Sequence, residues 1–575
     1  MKIRSLIVFV LFFLSAGSGF VLASENDRMI GGYPEDQALM FGEKMYREGV
    51  LPSGQPLKAL VMGDIPVDGR MFTCDDCHQR SGLGSVEGTV ITWPTNGKEL
   101  YVPRRRTGAW RPPQSNLESE NPRRNLPKYW QQVAEARPAY TDRTLAHLLR
   151  AGEDPAGREL DSIMPRYMLN TGNMEIFVHY LKNLSVELDP GVNDTVLTVA
   201  TVIAGDVPDY ERLSMLSVLK THIATHNSQT RHEEKRARSG PFYKSEMHKA
   251  YRRLKLNIWE LKGDEASWPR QLEEYYRQEP VFALLGGISE GSWAPIHHFS
   301  EQHEIPCIFP ITDLPVISNS DWYTLYFSKG FYQEGEAAAK YLRATGKFEK
   351  KMHVVQVFRE DQKGTALAEG FAETWQKFGG AAPENRILQA GDTVSEDFWS
   401  TIAGSADPFV LLLWLGTDDL KHVERLSGQS TQLDMVFISA NMIKSNFSHV
   451  PDTIREKVYM TYPYSIAGEN SRRLSVIERW LKMRKIEPGD LTIQSKMYFL
   501  GWTLSMAIKQ MRSEFFRDYF FEGFDMMTDQ DYAIAVYPRL TFGNGQRYAS
   551  KGCYIVQITK GENPHIVTKS DWVVY

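Results

Sequence analysis

The chain has 575 residues, 42% of them hydrophobic, 24% charged and 12% aromatic, which excludes a single small module and a disordered, collagen-like or coiled-coil chain. Sixty-six Lys and Arg against 71 Asp and Glu give a net charge of -5, so no broad positive field is present and nucleic acid is not an expected partner. Four cysteines, Cys74, Cys77, Cys307 and Cys553, are too few for a disulfide framework to hold so long a chain together.

Lys2 and Arg4 precede an apolar run from Leu6 to Leu14 and a small-residue stretch ending Val21-Leu22-Ala23. This order reads as a secretory signal over residues 1–23, cleaved after Ala23. An uncleaved membrane anchor is the alternative, but it needs about 20 apolar residues, and Ser15, Gly17, Ser18 and Gly19 interrupt the run. Cleavage leaves 64 of the 66 basic residues and a net charge of -7. No later stretch is long and apolar enough to span a membrane. The expectation is a soluble exported protein without an integral membrane segment, most simply in a bacterial periplasm.

Cys74-Asp75-Asp76-Cys77-His78 fits the c-type haem attachment sequence, in which two thiols add to the haem vinyls and the adjacent imidazole ligates the iron. The spacing predicts one covalent haem c on Cys74 and Cys77, with His78 as an axial ligand. A structural zinc site would need a second paired cluster, which the sequence lacks. A thioredoxin-like pair belongs between a strand and a helix of a βαβ unit, and a plain surface disulfide would not require His78.

A low-spin haem needs a second axial ligand, commonly a methionine thioether. Downstream lie Tyr140-Thr-Asp-Arg-Thr-Leu-Ala-His-Leu-Leu-Arg-Ala-Gly152, Asp161-Ser-Ile-Met164-Pro-Arg-Tyr167 and Met174-Glu-Ile-Phe-Val-His-Tyr-Leu-Lys-Asn-Leu184. This run resembles the C-terminal half of class I cytochrome c domains, and Gly42-Glu-Lys-Met-Tyr46 resembles the family's first helix, which packs against the closing one. The resemblance implies an all-α cytochrome c domain over 35–188 with Met164 as distal ligand; Met168, Met174, His147 and His179 are the other candidates. The chain departs from the compact family pattern in its long segments before Cys74 and between His78 and Met164. The second of these holds Arg104, Arg105 and Arg106, which suit haem propionates or an acidic redox partner, or are simply solvated.

Past residue 190 the pattern changes to alternating strands and helices. Strands are expected at 196–203, 254–259, 281–285, 305–309, 353–358 and 409–414, and helices at 213–224, 268–279, 293–301, 335–344 and 365–378. Such alternation indicates parallel sheets covered by helices. Gly286-Gly-Ile-Ser-Glu-Gly-Ser292, Ile305-Pro-Cys-Ile-Phe-Pro-Ile-Thr-Asp-Leu-Pro315, Tyr332-Gln-Glu-Gly-Glu-Ala-Ala-Ala-Lys-Tyr341, Asp361-Gln-Lys-Gly364-Thr-Ala-Leu-Ala-Glu-Gly-Phe371 and Leu540-Thr-Phe-Gly-Asn-Gly-Gln-Arg547 carry a further resemblance. In order and spacing they are similar to type I periplasmic binding proteins of the branched-chain amino acid class. The resemblance implies a two-lobed α/β domain over 195–575. Lobe 1 would span about 195–320 and 460–525, lobe 2 about 325–455 and 528–575, with a small-molecule ligand in the cleft between them.

By the same resemblance Ser289 donates to a ligand carboxylate, while Thr312, Asp313 and Lys363 line the cleft, with Ser292, Trp293 and Trp414 as weaker candidates. Asp313 and Lys363 depart from the family pattern, which puts an ordinary branched-chain amino acid in doubt; either residue could equally be a solvated loop charge. Gly287-Ile-Ser289-Glu-Gly291 also fits the nucleophile elbow of α/β-hydrolases, which needs a later acid and a histidine such as His353 or His422. His222 and His226, four apart on an expected helix, could bind a metal or form a surface pair, and Cys307 and Cys553 could form one bridge.

The leading expectation is a periplasmic mono-haem electron carrier, with a redox partner protein, fused to a domain binding an amino acid or carboxylate-like molecule. The alternative is a solute receptor of a transporter or sensor with an accessory haem domain. A haem enzyme is disfavoured, because an iron ligated by Met164 has no open position.

Overall fold

The computed structural model describes residues 28–87, 90–104, 136–239, 252–345, 353–403, 409–426, 433–444, 450–466, 468, 470–527, 532, 534–561 and 564–574. The expected signal, and with it Arg105 and Arg106, lies outside these residues. The chain divides into two compact units, Met1–Val186 and Glu187–Tyr575.

The first unit is built on helices Glu35–Arg47, Asp142–Ala151 and Thr171–Asn183, with short helices at Cys74–His78 and Gly97–Leu100. The first and last long helices cross at Gly42, where a Cβ atom would lie 2.3 Å from Tyr180 Cβ. One turn on, Tyr46 and Tyr180 pack with ring centres 5.6 Å apart, and the Tyr46 hydroxyl donates to the Gln79 carbonyl at 2.7 Å. Helix Asp142–Ala151 starts on a capping box between Thr141 and Thr144 and ends on Gly152 in the left-handed region. The expectation of an all-α domain is corrected: strands Lys58–Val61, Ile65–Asp68 and Arg166–Tyr167 form a three-stranded antiparallel sheet. Two of its strands come from the long segment before Cys74, whose Ala59, Val61 and Val67 alternate with polar or exposed neighbours as a half-buried hairpin does.

The second unit contains two parallel sheets of one topology. In the first lobe the strands lie in the order Arg253–Leu261, Val196–Ala204, Ala283–Leu285 continued by Ile288–Ser289, Cys307–Ile308 and Thr324–Leu325, all parallel. In the second lobe the order is Glu384–Leu388, His353–Arg359, Phe409–Trp414, Leu433–Ser439 and Val458–Tyr462, again parallel. Strands Gly552–Ile558 and Ile566–Thr568 extend this sheet antiparallel. Numbered within each lobe, both sheets read 2-1-3-4-5, a doubly wound order that brings the carboxyl ends of the strands to one edge.

Each sheet is apolar on both faces, as parallel sheets are. Val199, Leu197 and Ile203 pack with helices Asp209–Ser239, Leu491–Met511 and Arg517–Asp525. Val202, Ala204 and Trp259 pack with helices Trp268–Gln278 and Ala294–Gln302. Phe409–Trp414 is buried at every position. The chain passes between lobes at 327–331, 462–464 and 549–553: Leu325 and Phe327 belong to the first lobe's core and Phe331 to the second's, Tyr462 packs on the second and Tyr464 on the first, and Met527, Leu540 and Ala549 are still in the first while Cys553 is in the second. The expected return to the second lobe from about 528 is corrected, because Ile534, Tyr537, Leu540 and Ala549 pack in the first lobe's core and only Cys553 enters the second.

Candidate functional site

In the first unit the Cys74–His78 helix is fixed at its start by a capping box, Thr73 Oγ1 accepting from Asp76 N–H and the Asp76 carboxylate accepting from Thr73 N–H. The Cys74 Sγ lies 3.4 Å from the Tyr167 hydroxyl, and burial pushes its pKa up to about 12. Cys77 is exposed, and neither cysteine is in a disulfide. Burial lowers the His78 pKa to about 4, so the ring is neutral. Its Nδ1 is 2.7 Å from the Trp93 carbonyl oxygen. A carbonyl only accepts, so Nδ1 carries the proton and Nε2 keeps its lone pair, the tautomer that metal ligation requires.

Met164 is half-buried against the first unit's core. Its loop is held by Arg166, whose guanidinium donates to the Met164 carbonyl at 2.6 Å and to the Leu160 carbonyl at 2.9 Å. Of the other candidate ligands, Met174 is a core residue and Met168 is exposed. His147 lies beside Glu153 and His179 beside Glu35. Arg104 is not a free loop charge: its guanidinium stacks 4.1 Å from the Trp93 ring centre and its backbone bridges to Arg137. Among the described residues no cluster of three or more His, Cys, Asp or Glu could hold a bare metal ion, which leaves the zinc alternative without ligands there.

In the second unit the carboxyl ends of the first lobe's strands carry Gly286 to Ser292, Ile311 to Asp313 and Phe327 to Gly330. Gly287 is in the left-handed region, and a Cβ there would meet the Trp293 ring at 2.6 Å and the Val202 carbonyl at 2.8 Å. Ser289 is half-buried, its Oγ accepting from Gly291 N–H at 3.1 Å, and Thr312 Oγ1 likewise accepts from Leu314 N–H at 3.0 Å. Asp313 is exposed, and its backbone carbonyl takes the Phe331 N–H at 3.1 Å, which ties this loop to the first helix of the second lobe, Gly330–Ala344.

Residues that the sequence did not single out gather around Asp313. Glu334, fully buried on helix Gly330–Ala344, accepts from Thr461 Oγ1 at 2.6 Å. Burial pushes its pKa up to about 8, against hydrogen bonds from Thr461 and Ser439, and the Asp313 charge adds to the rise. The Tyr464 hydroxyl donates to Asn441 Oδ1. Lys496 projects from helix Leu491–Met511 with its Nζ 5.7 Å from the Phe327 ring centre and 5.5 Å from that of Tyr537. Burial opposes its charge, but the Tyr537 oxygen and the Asp313 carboxylate outweigh it and raise its pKa.

Lys363 is exposed in the first turn of helix Gln362–Lys377, which Asp361 caps through Gly364 N–H at 2.7 Å. The neighbouring Gln362 faces Glu265, Glu273, His298 and Gln302 of the first lobe across a groove of about 460 Å³. Ser289, Thr312 and Asp313 thus share one edge of the first lobe's sheet and Lys363 lies on the opposite lobe, and none of the four lines that groove. Ser292 Oγ accepts from Ala294 N–H. Trp293 and Trp414 are core residues, Trp414 donating to Gln356 Oε1 at 2.9 Å.

Three further expectations resolve as follows. Among the described residues no histidine bonds Ser289: His353 pairs with Glu384 at 3.0 Å and His422 lies beside Glu396, both in the second lobe. His222 stacks on Trp480 at 4.7 Å and His226 bonds the Arg252 carbonyl, so the pair forms no metal site. Cys307 and Cys553 are buried, free and in different sheets. No helix among the described residues is long and apolar enough to cross a membrane.

No protein-family model matches the chain, and no curated protein matches it. Solved structures similar to the chain are substrate-binding proteins of ABC transporters. They include a fatty acid ABC transporter substrate-binding protein from Thermomonospora curvata, at 14% identity over 68% of this chain and 95% of that one, TM-score 0.41. A putative branched-chain amino acid ABC transporter from Rhodospirillum rubrum matches at 14% over 67% and 100%, TM-score 0.44. A branched chain amino acid ABC transporter from Thermus thermophilus with bound valine matches at 13% over 66% and 97%, TM-score 0.45. At such scores the likeness decides nothing alone, and the two-lobed α/β fold rests on the sheet order.

Proposed function

We propose that the second unit is a solute receptor whose lobes close on a small organic molecule, an amino acid or a carboxylate, and that the first unit carries one covalent haem c as an accessory group. The receptor reading rests on one observation. Two parallel sheets of identical strand order are joined by three crossings, and chemistry-bearing side chains from both lobes converge at the carboxyl ends of their strands, where open α/β sheets bind ligands. Ser289, Thr312 and Asp313 on the first lobe and Lys363 on the second are the proposed contacts. The test is a thermal-shift screen of amino acids, carboxylates and fatty acids on the whole chain. A ligand at 100 times its dissociation constant stabilises its unit by about 2.7 kcal/mol.

The haem reading is favoured by two cysteines at the attachment spacing and by the tautomer of the half-buried, neutral His78 imidazole. Cys74 and Cys77 would hold the group, and His78 and Met164 would be the axial ligands. Such a group, when bound, supplies one-electron transfer, which would give the protein a redox partner. The residues around it orient the imidazole through Trp93 and hold the Met164 loop through Arg166. Export to a periplasm is proposed with both, on the N-terminal signal in the sequence.

A further inference from the structure

Lys496 is only 6% exposed and sits in a helix whose neighbouring residues Ile493, Met497, Phe499 and Leu500 are buried core. Among the described residues it forms no ion pair with a carboxylate. Burial opposes the charge; the Tyr537 oxygen and the Asp313 field favour it and two aromatic faces more than 5 Å away add a little, but no carboxylate pairs with it directly. A methionine would fill the same space without the penalty.

Its position explains the charge. Phe327, just before one crossing between lobes, and Tyr537 flank the ammonium and pack on each other with ring centres 5.9 Å apart in the first lobe's core. Phe327 follows strand Thr324–Leu325 and Asp313 follows strand Cys307–Ile308, both at the carboxyl edge of the first sheet. The hydroxyls of Ser289 and Thr312 on that edge accept from their own turns and keep an O–H to donate, but neither carries a charge. A ligand carboxylate reaching this floor therefore finds Lys496 as the full positive charge, with the exposed Asp313 carboxylate beside it for a ligand donor. Tyr464 and Glu334, which share the Asp313 field, are occupied by Asn441 and Thr461.

We propose that Lys496 is the anion-binding residue of the interlobe cleft and that the ligand presents a carboxylate to it. The inference rests on reading the cleft as a ligand site and adds the residue that selects the charge. It makes a ligand's acid form bind and its amide form fail, and it assigns the anion-holding role first expected of Ser289 to a helix far along the chain.

The test uses the full chain with benzoate, octanoate, succinate and L-valine, each beside its primary amide, and the variants Lys496→Met and Lys496→Arg. Expected are a melting-temperature rise with at least one acid, an amide at least 100-fold weaker, and at least 100-fold weaker acid binding by Lys496→Met. Lys496→Arg should keep binding within about tenfold, and ligand-free Lys496→Met should stay folded and melt close to the parent, the lost hydrogen bond to Tyr537 being offset by the burial cost that goes with the charge. Acid and amide binding alike, or undiminished binding by Lys496→Met, overturns the proposal while the receptor reading stands. A ligand-free Lys496→Met that melts well below the parent, or fails to fold, overturns it in favour of a structural lysine. Absence of any shift with the parent chain overturns the receptor reading itself and the proposal with it.

Discussion

The Nδ1 atom of His78 donates to the carbonyl oxygen of Trp93 across 2.7 Å, so the backbone at Trp93 sets which imidazole nitrogen faces outward. Matured with haem-ligating machinery, the chain should gain the mass of one haem, and Cys77→Ala should weaken or abolish the gain. His78→Ala should keep the adduct but lose the low-spin spectrum. Intact-mass spectrometry and visible spectra check both. An unmodified parent chain would remove the haem reading and leave the receptor intact.

The buried Glu334 carboxyl predicts a pH dependence. Its folded pKa of about 8 lies above the ordinary glutamate value of 4.5, so between these values the folded chain holds a proton that the unfolded chain has lost. Stability from this group is complete below about pH 4.5 and falls by up to about 1.4 kcal/mol per pH unit as pH rises toward 8. Glu334→Gln should flatten that slope and melt higher than the parent at pH 8. Melting curves between pH 5 and 9 read the difference.

Asp525 and Arg547 form an ion pair at 2.9 Å, with both side chains about 95% buried, and the guanidinium also stacks 4.0 Å from the Trp322 ring centre. Asp525→Ala should destabilise the second unit by about 3–5 kcal/mol, because it leaves a buried cation unpaired. Asp525→Leu combined with Arg547→Met should lose much less. Urea unfolding of the two variants gives the comparison.

At the helix crossing, Gly42→Ala places a methyl 2.3 Å from Tyr180 Cβ. The helices must separate, and the first unit should lose about 1–3 kcal/mol. The second unit's denaturation midpoint should not move, which differential scanning calorimetry resolves if the two units melt apart.

Much of this architecture was legible in the sequence. The nine-residue apolar run Val196–Ala204 and the six-residue run Phe409–Trp414 are central parallel strands because they are buried on both faces, and Gly42 with Tyr46 marked a close helix crossing. The hairpin Lys58–Asp68 was missed because two strands of four residues carry too few alternations to stand out. Helix Asp209–Ser239 runs past the expected end at Ala224, where its apolar periodicity fades into polar residues. Residues 534–549 were given to the second lobe, though they pack in the first, because nothing local records which core a connecting segment joins. Lys496 was not singled out, being one of two lysines, with Lys509, in an otherwise uncharged helix. That interruption was the available signal, but its meaning appears only when Phe327, Tyr537 and Asp313 surround it.

The central claim is that the second unit closes on a small organic acid. Its most direct test is the melting temperature of the dialysed full chain with saturating benzoate, octanoate, succinate or L-valine. The account predicts a concentration-dependent rise with at least one of them, confined to the second unit and absent with the matching amide. A melting temperature unmoved by every acid at millimolar concentration would contradict it.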